Sequence, residues 1–325
     1  MVDAYSNQDT SSDKCILIGD EIKSEYRAEI PSVVDSIVES CSKESCFEHV
    51  DAAVIPSRDS VIEIIDITKR ILYPGYFENQ VIDRANLSYQ LGGEVNDLFE
   101  KLSKQITNSI MHDCQRYGEK CTQCHYRGKK EALDFLKKIP ILRDVLASDI
   151  RAAYEGDPAA KSYDEIIFSY PGLLAITIYR VAHELYKQEI TILPRIMTEY
   201  AHSIVGIDIH PGAEIGNHFF IDHGTGVVIG ETCEIGDNVR IYQGVTLGAL
   251  SFPKDETGNM IRGNKRHPTI KDDVIIYAGA TILGGDTVIG ERSVIGGNVW
   301  ITKPVPPDNT VIIEEPRLIY KKHHR

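Results

Sequence analysis

The sequence predicts an α+β chain, an N-terminal all-helical domain followed by a solenoid of very short strands. Two observations carry this. Between Ile16 and about Ile204, apolar residues recur three and four apart, the spacing of one helix face. After Gly206 the spacing becomes six, and thirteen aliphatic residues keep to it. A chain of 325 residues also exceeds one ordinary domain, so two or more structural units are expected.

Taken in order, the chain opens on MVDAYSNQDTSSDK, a polar and acidic stretch read as a flexible tail over 1–15. The helical domain is expected over 16–205. ILIGDEIKSEYRAEI and SVVDSIVESC show the helical spacing. NLSYQLGGEVNDLFEKLSKQITNSIMHDC is a long amphipathic stretch interrupted by Gly92 and Gly93, and KEALDFLKKIPILRDVLASDIRAAYEG repeats the pattern. Pro171 and Pro194 suit the first turns of two further helices, the second closed by Gly206.

The solenoid is expected over 206–303. Its ladder reads Ile209, Ile215 and Ile221, then Ile229, Ile235, Ile241 and Leu247, then Ile270, Ile276, Ile282, Ile289, Ile295 and Ile301. A small or β-branched residue stands two places before most of these, from Ala213 and Val227 to Ser293 and Val299. Each flat side therefore carries one inward aliphatic and one inward small residue. Glycine follows the aliphatic at 216, 230, 236, 248, 290 and 296, where it is expected to relieve the corner turn. The phase slips by two residues between Ile221 and Ile229, and by one near Gly284, Gly285 and Asp286. Residues 248–269 interrupt the repeat, and a solenoid expels such an insertion as a surface loop of the kind that carries function. Residues 304–325 read as a C-terminal tail.

The net charge is −13, and residues 1–60 hold 5 Lys/Arg against 13 Asp/Glu. A nucleic-acid partner asks for the opposite sign. The only basic cluster, the terminal KKHHR, reads as a solvated tail. No apolar run reaches the roughly 18–20 residues of a membrane span, and the opening residues lack the features of a signal peptide. A soluble, cytoplasmic protein with neither nucleic-acid nor membrane partner is expected. Seven cysteines without a secretory signal point to reduced thiols.

Narrower motifs lie inside the repeat. They are GIDIHPGAEIG (206–216), FFIDHGTGVVIGETCEIGDNV (219–239), YQGVTLGAL (242–250) and KRHPTI (265–270), preceded by GDPAAKSYDEII (156–167). The repeat resembles the hexapeptide-repeat acyltransferases, which fold as left-handed parallel β-helices and assemble as trimers. The order and spacing of DIHP, IDHGTG, GVTLG and RHP resemble the serine O-acetyltransferases in particular, from about Ile139 to Pro307. The resemblance implies transfer of acetyl from acetyl-CoA to the hydroxyl of L-serine, giving the O-acetylserine of cysteine biosynthesis. It also implies a homotrimer or a dimer of trimers, with no metal expected.

The chemistry asks for particular groups. A serine hydroxyl needs a base beside it, and a neutral imidazole suits. By resemblance the base is His223, and the carboxylate that holds its tautomer is Asp208. The attacked thioester carbonyl becomes an oxyanion, which takes a backbone N–H; the matching one belongs to Ala249, after Gly248. Asp157 and Asp222 match the family's serine-contacting carboxylates. Arg266 and His267 match its basic side, where a guanidinium meets the substrate carboxylate with two hydrogen bonds. Coenzyme A is expected along the solenoid beside a neighbouring subunit, past Ala278 and Gly297. If the coils stack in register, Arg266 and His267 should lie near the turn of Asp222 and His223.

Each residue also has a plainer reading. His223 could be a surface histidine in a turn, Asp208 a corner cap, Asp157 an N-cap before Pro158 and Arg266 a surface ion-pair partner. Cys233 sits at an inward small position and reads as core. Cys114, Cys121 and Cys124 with a histidine could bind zinc, and CTQCH matches a haem-attachment pattern, but free buried thiols are the preferred reading. A different O-acetyltransferase, acting on a sugar or xenobiotic, is one alternative function. A trimeric zinc enzyme like carbonic anhydrase, using His218 and His223, is another. Relatives that bind O-acetylserine sulfhydrylase end in isoleucine, so with a KKHHR end that partner is doubtful here.

Overall fold

The computed structural model describes residues 11–41, 49, 55–78, 81–118, 122–251, 254–261, 263–314 and 319–321, excepting the side chains of 11–25. The expected tail at 1–10, Cys121 and the terminal residues 322–325 lie outside the described residues. The chain divides into two units between Ala52 and Ala53. The first contains one helix, α1 (Ser11–Cys41), which runs through Pro31 and joins the two helical stretches read separately from the sequence. It begins inside the segment expected as a tail.

The second unit opens with seven helices: α2 (Arg58–Leu72), α3 (Leu87–Arg116), α4 (Cys124–Leu136), α5 (Ile139–Gly156), α6 (Tyr163–Ser169), α7 (Pro171–Lys187) and α8 (Leu193–Val205). The expected interruption at Gly92 and Gly93 is absent, and α3 is continuous through both. Each glycine there costs about 1 kcal/mol against alanine. The buried face of Leu98, Leu102 and Ile106 outweighs that cost. Gly206 closes α8 with a left-handed φ of 68°. The expectation of free thiols also fails in part. Cys124 is disulfide-bonded, and the free thiol of Cys114 lies 3.9 Å from its sulfur, where the end of α3 meets the start of α4.

From Asp208 the chain winds into a three-sided parallel β-helix. The first side stacks β1 (Asp208–Ile209), β4 (Val228–Ile229), β7 (Thr246–Gly248), β10 (Thr281–Leu283) and β13 (Trp300–Ile301). The second stacks β2 (Glu214–Ile215), β5 (Glu234–Ile235), β8 (Thr269–Ile270) and β11 (Val288–Ile289). The third stacks β3 (Phe220–Ile221), β6 (Arg240–Ile241), β9 (Ile275–Ile276), β12 (Val294–Ile295) and β14 (Thr310–Val311). All thirteen ladder aliphatics lie in these strands, and all but Ile215 are buried. The last strand, β14, pairs with β12 beyond the end expected at 303. The first corner follows the first side, and so on round the prism.

The glycines after the ladder residues do a different job from the one expected. None of the six is left-handed; the left-handed corner residues come later, among them His218, Asn238, Asp273, Asn298, Gly244 and Gly279. What the glycines permit is close stacking of the next coil. A Cβ on Gly216 would stand 2.6 Å from the Gly236 carbonyl, and one on Gly236 would stand 2.9 Å from the Asp272 amide nitrogen.

One buried ion pair fastens the helices to the solenoid. Arg180 of α7 donates to both carboxylate oxygens of Asp149 on α5, at 2.6 and 2.9 Å, and also to the Gly216 carbonyl at 2.8 Å. Asp149 accepts in turn from the Phe219 amide at 2.9 Å. Breaking such a pair strands a charge without water. Asp149→Ala is expected to destabilise the protein by about 3–5 kcal/mol, read as a lower urea midpoint at fixed protein concentration, and pairing it with Arg180→Met should recover much of the loss. A single variant as stable as the wild type would contradict this account.

Candidate functional site

The third corner carries the first group of candidate residues. The two-residue phase slip makes this corner long enough to project a side chain, and His223 sits on it with φ 58° and its side chain 71% exposed. Asp222, 14% exposed, places a carboxylate oxygen 3.6 Å from His223 Nδ1, close but longer than a hydrogen bond. Among the described residues, no hydrogen bond or ion pair joins Asp208 to His223. Asp208 occupies the start of β1 on the first side, at the edge that adjoins this corner.

Asp157 follows the last residue of α5 and reaches the same corner. Its Oδ1 accepts from the Ala159 amide at 2.8 Å, and its Oδ2 accepts from the Tyr170 hydroxyl at 2.5 Å. The Tyr170 bond chiefly, and the Ala159 amide after it, hold the Asp157 carboxyl below the usual carboxylate range, with His223 and Arg240 adding a weaker pull. Arg240 of β6 also donates to the Gly156 carbonyl at 3.0 Å and lies over the Phe220 ring. A Cβ on Gly156 would strike that guanidinium at 2.7 Å. The turn bearing Asp157 is thus tied to the solenoid by a side chain that periodicity does not single out.

The second group lies at the first corner. The inserted loop leaves after Leu247 and returns before Ile270, between the first and second sides. Arg266 pairs with Glu231 there. His267 is buried, and its Nδ1 accepts from the Thr232 amide at 3.1 Å. That bond leaves the proton of a neutral His267 on Nε2. Gly230 makes room for the ring, since a Cβ on it would lie 2.0 Å from the imidazole. Gly248 and Ala249 stand at the start of this corner, and among the described residues no acceptor takes the Ala249 N–H. Arg266 and His267 therefore do not meet Asp222 and His223 within one chain, contrary to the expectation. Ala278 and Gly297 fall on the third corner, two and three coils beyond His223, where Asn298 donates to the Ala278 carbonyl at 2.9 Å.

Other readings meet the geometry too. His218 stands on the second corner, with Nδ1 2.9 Å from Asn238 Oδ1, so it shares no corner with His223. Among the described residues no group of three or more His, Cys, Asp or Glu could hold a metal, and no single helix is long and apolar enough to cross a membrane. Cys233 is buried, and burial pushes its thiol up to about 12. Tyr170, Glu231 and Arg240 escaped the sequence reading. The signal for Tyr170 was its place before Pro171, which restricts it to an extended backbone at a helix junction.

Burial first, and then the neighbouring Arg266 charge, push the His267 imidazole down to about 4. In the unfolded chain it titrates near about 6.5. Between those values the folded state binds fewer protons, so this group's stabilisation is complete above about pH 6.5 and is lost as the pH falls toward about 4. His267→Gln is expected to flatten the stability profile across that window, measured by urea unfolding at several pH values. A profile as steep as the wild type's would remove His267 as its source.

No family model matches the chain. It is 49% identical over 255 residues to a plasmid-borne serine acetyltransferase of Synechococcus elongatus, covering 78% of this chain and 80% of that protein. Its fold is similar to that of serine acetyltransferase isoform 3 of Entamoeba histolytica, solved in complex with cysteine. The TM-score is 0.67 at 36% identity, over 89% of this chain and 93% of the other. Soybean serine acetyltransferase, solved with serine, gives a TM-score of 0.51 at 32% identity, over 81% of this chain and 100% of that one. The fold is accordingly a helical N-terminal region followed by a left-handed parallel β-helix. With about half of the aligned residues identical over most of both chains, this protein belongs to the serine acetyltransferases.

Proposed function

We propose that the chain acetylates L-serine on its hydroxyl, taking the acetyl group from acetyl-CoA and releasing O-acetylserine and CoA. We further propose that each site joins the third corner of one subunit to the first corner of the next in a homotrimer. The observation that carries this is the division of the site residues between two corners. The first side of the prism separates them. A side of about six residues at ~3.3 Å each is far too wide for one serine molecule to bridge. Two copies meeting corner to corner bring the halves together, and a closed three-fold ring repeats that contact three times.

In such a site His223 takes the proton of the serine hydroxyl as it attacks. Its exposure within one chain leaves it open to a partner. Asp222 lies beside its Nδ1 and favours the imidazolium that forms, while Asp208, on the adjoining edge, takes the orienting role when the corners close. Asp157 and Asp222 meet the substrate ammonium. Arg266 meets its carboxylate, exchanging part of its bond to Glu231 for the substrate. The Ala249 N–H faces the oxygen that gains charge. Acetyl-CoA supplies an activated thioester, and its groove fits small residues: Ala278 and Gly297 line the third corner, where a Cβ on Gly297 would press to 3.1 Å from the Ala278 carbonyl.

A CoA-release assay with acetyl-CoA and a panel of amino acids and sugars tests the activity, with serine expected to be the preferred acceptor. His223→Ala should lose about 10²–10⁴-fold in kcat while staying folded. The shared site is tested by mixing. His223→Ala and Arg266→Ala subunits, each inactive alone, should regain activity when refolded together. A random 1:1 mixture places an intact pair at about one site in four. If the mixed trimers are as dead as the parents, both halves come from the same chain and the proposed interface is wrong.

A further inference from the structure

Tyr170 is absent from the site residues read from the motifs, yet its hydroxyl bonds directly to one of them. It closes α6 and precedes the first residue of α7, with φ −81° and ψ 117°. Its own amide donates to the Ile166 carbonyl at 3.1 Å, and Pro171 after it disfavours a helical backbone. The residue is therefore held extended at a junction where the two helices bend by 73°. From that fixed point the phenol reaches Asp157 Oδ2 at 2.5 Å.

The direction of this bond follows from the surroundings. Burial, and then the carboxylates of Asp157, Glu165 and Asp222, raise the phenol far above its ordinary range, so it keeps its proton and donates. With Ala159 on the other oxygen, each oxygen of Asp157 holds one donor and keeps a lone pair free. A neutral hydroxyl can do this without cancelling the carboxylate's charge. An arginine or lysine in the same place would fix the geometry but consume the negative charge that an ammonium needs.

We propose that Tyr170 is a positioning residue for the amino group of the substrate: its hydroxyl fixes Asp157 at the third corner, facing Asp222 and His223, as an anionic and only half-occupied acceptor. The proposal rests on the reading of Asp157 as an ammonium contact. It makes Tyr170 a determinant of selectivity for amino acids over hydroxy acids. Tyr170→Phe removes one oxygen and keeps the ring.

The test compares serine with 3-hydroxypropionate, which keeps the hydroxyl and carboxylate and lacks the amine. In Tyr170→Phe, KM for serine should rise about tenfold, the loss expected when a charged group forfeits a hydrogen bond. The inhibition constant of 3-hydroxypropionate and the KM for acetyl-CoA should move less than about twofold. Adding Tyr170→Phe to Asp157→Asn should raise KM for serine little further, because the two residues act as a unit. Equal losses for both ligands in Tyr170→Phe would mean general damage and overturn the proposal, as would an unchanged KM for serine while Asp157→Asn alone is impaired. If Asp157→Asn itself binds serine normally, the ammonium assignment fails first and the role of Tyr170 falls with it. Thermal unfolding midpoints of all variants show which losses come from the fold.

Discussion

The buried pair of Asp149 and Arg180 is the joint on which the site depends. It links α5 to α7, and through the Gly216 carbonyl and the Phe219 amide it locks both to the second corner of the solenoid. Asp157 lies eight residues beyond Asp149, and Tyr170 ten before Arg180. Two groups of the third corner are thus carried at the ends of helices clamped at one point. A buried ion pair adds little net stability over an apolar contact of the same shape. What it supplies is a direction: five fixed donors and a bidentate carboxylate allow one seating of the helices and not several.

A second constraint is the period of six. It aligns each corner of the solenoid into a column, so residues distant in sequence become neighbours along the axis. Glu231, Arg266 and His267 share one column, and His223, Ala278 and Gly297 share another. The inserted loop perturbs neither, because it leaves and returns at one corner and the ladder resumes in register at Thr269. The candidate site residues are thereby sorted onto two edges of the prism. A lone chain holds His223 on one edge and Arg266 on another, and the proposed assembly is what would unite them.

The repeat was legible because each strand needs only one inward aliphatic, and those residues stand at a fixed interval. The role of Gly216 and its equivalents was misread, since the left-handed turns fall on later corner residues such as His218, Asn238 and Gly244, and the preference of Asn and His for that region is too weak to place them from sequence alone. The corner of Arg266 could have been found by counting. Leu247 ends a first side and Ile270 belongs to a second, whereas His223 lies between a third and a first. The continuity of α3 through Gly92 and Gly93, and the partners of Asp149, Tyr170 and Arg240, depend on contacts across 13 to 84 residues of chain and leave no local pattern.

The stacking of coils gives the protein a ruler. Neighbouring strands in each side stand about 4.8 Å apart, so every complete coil between His223 and Arg266 adds one such step to their separation along the axis. Deleting the coil between them, β4 to β6, would remove Ile229, Ile235 and Ile241 yet leave the remaining strands able to stack at the same spacing. In the proposed shared site it would also slide His223 past Arg266 by a full step, far beyond the positional tolerance of a catalytic site. Coils added beyond Ile301 would leave that separation unchanged, whereas on the proposed reading the number of coils between His223 and Arg266 is set by the size of the molecule held between them.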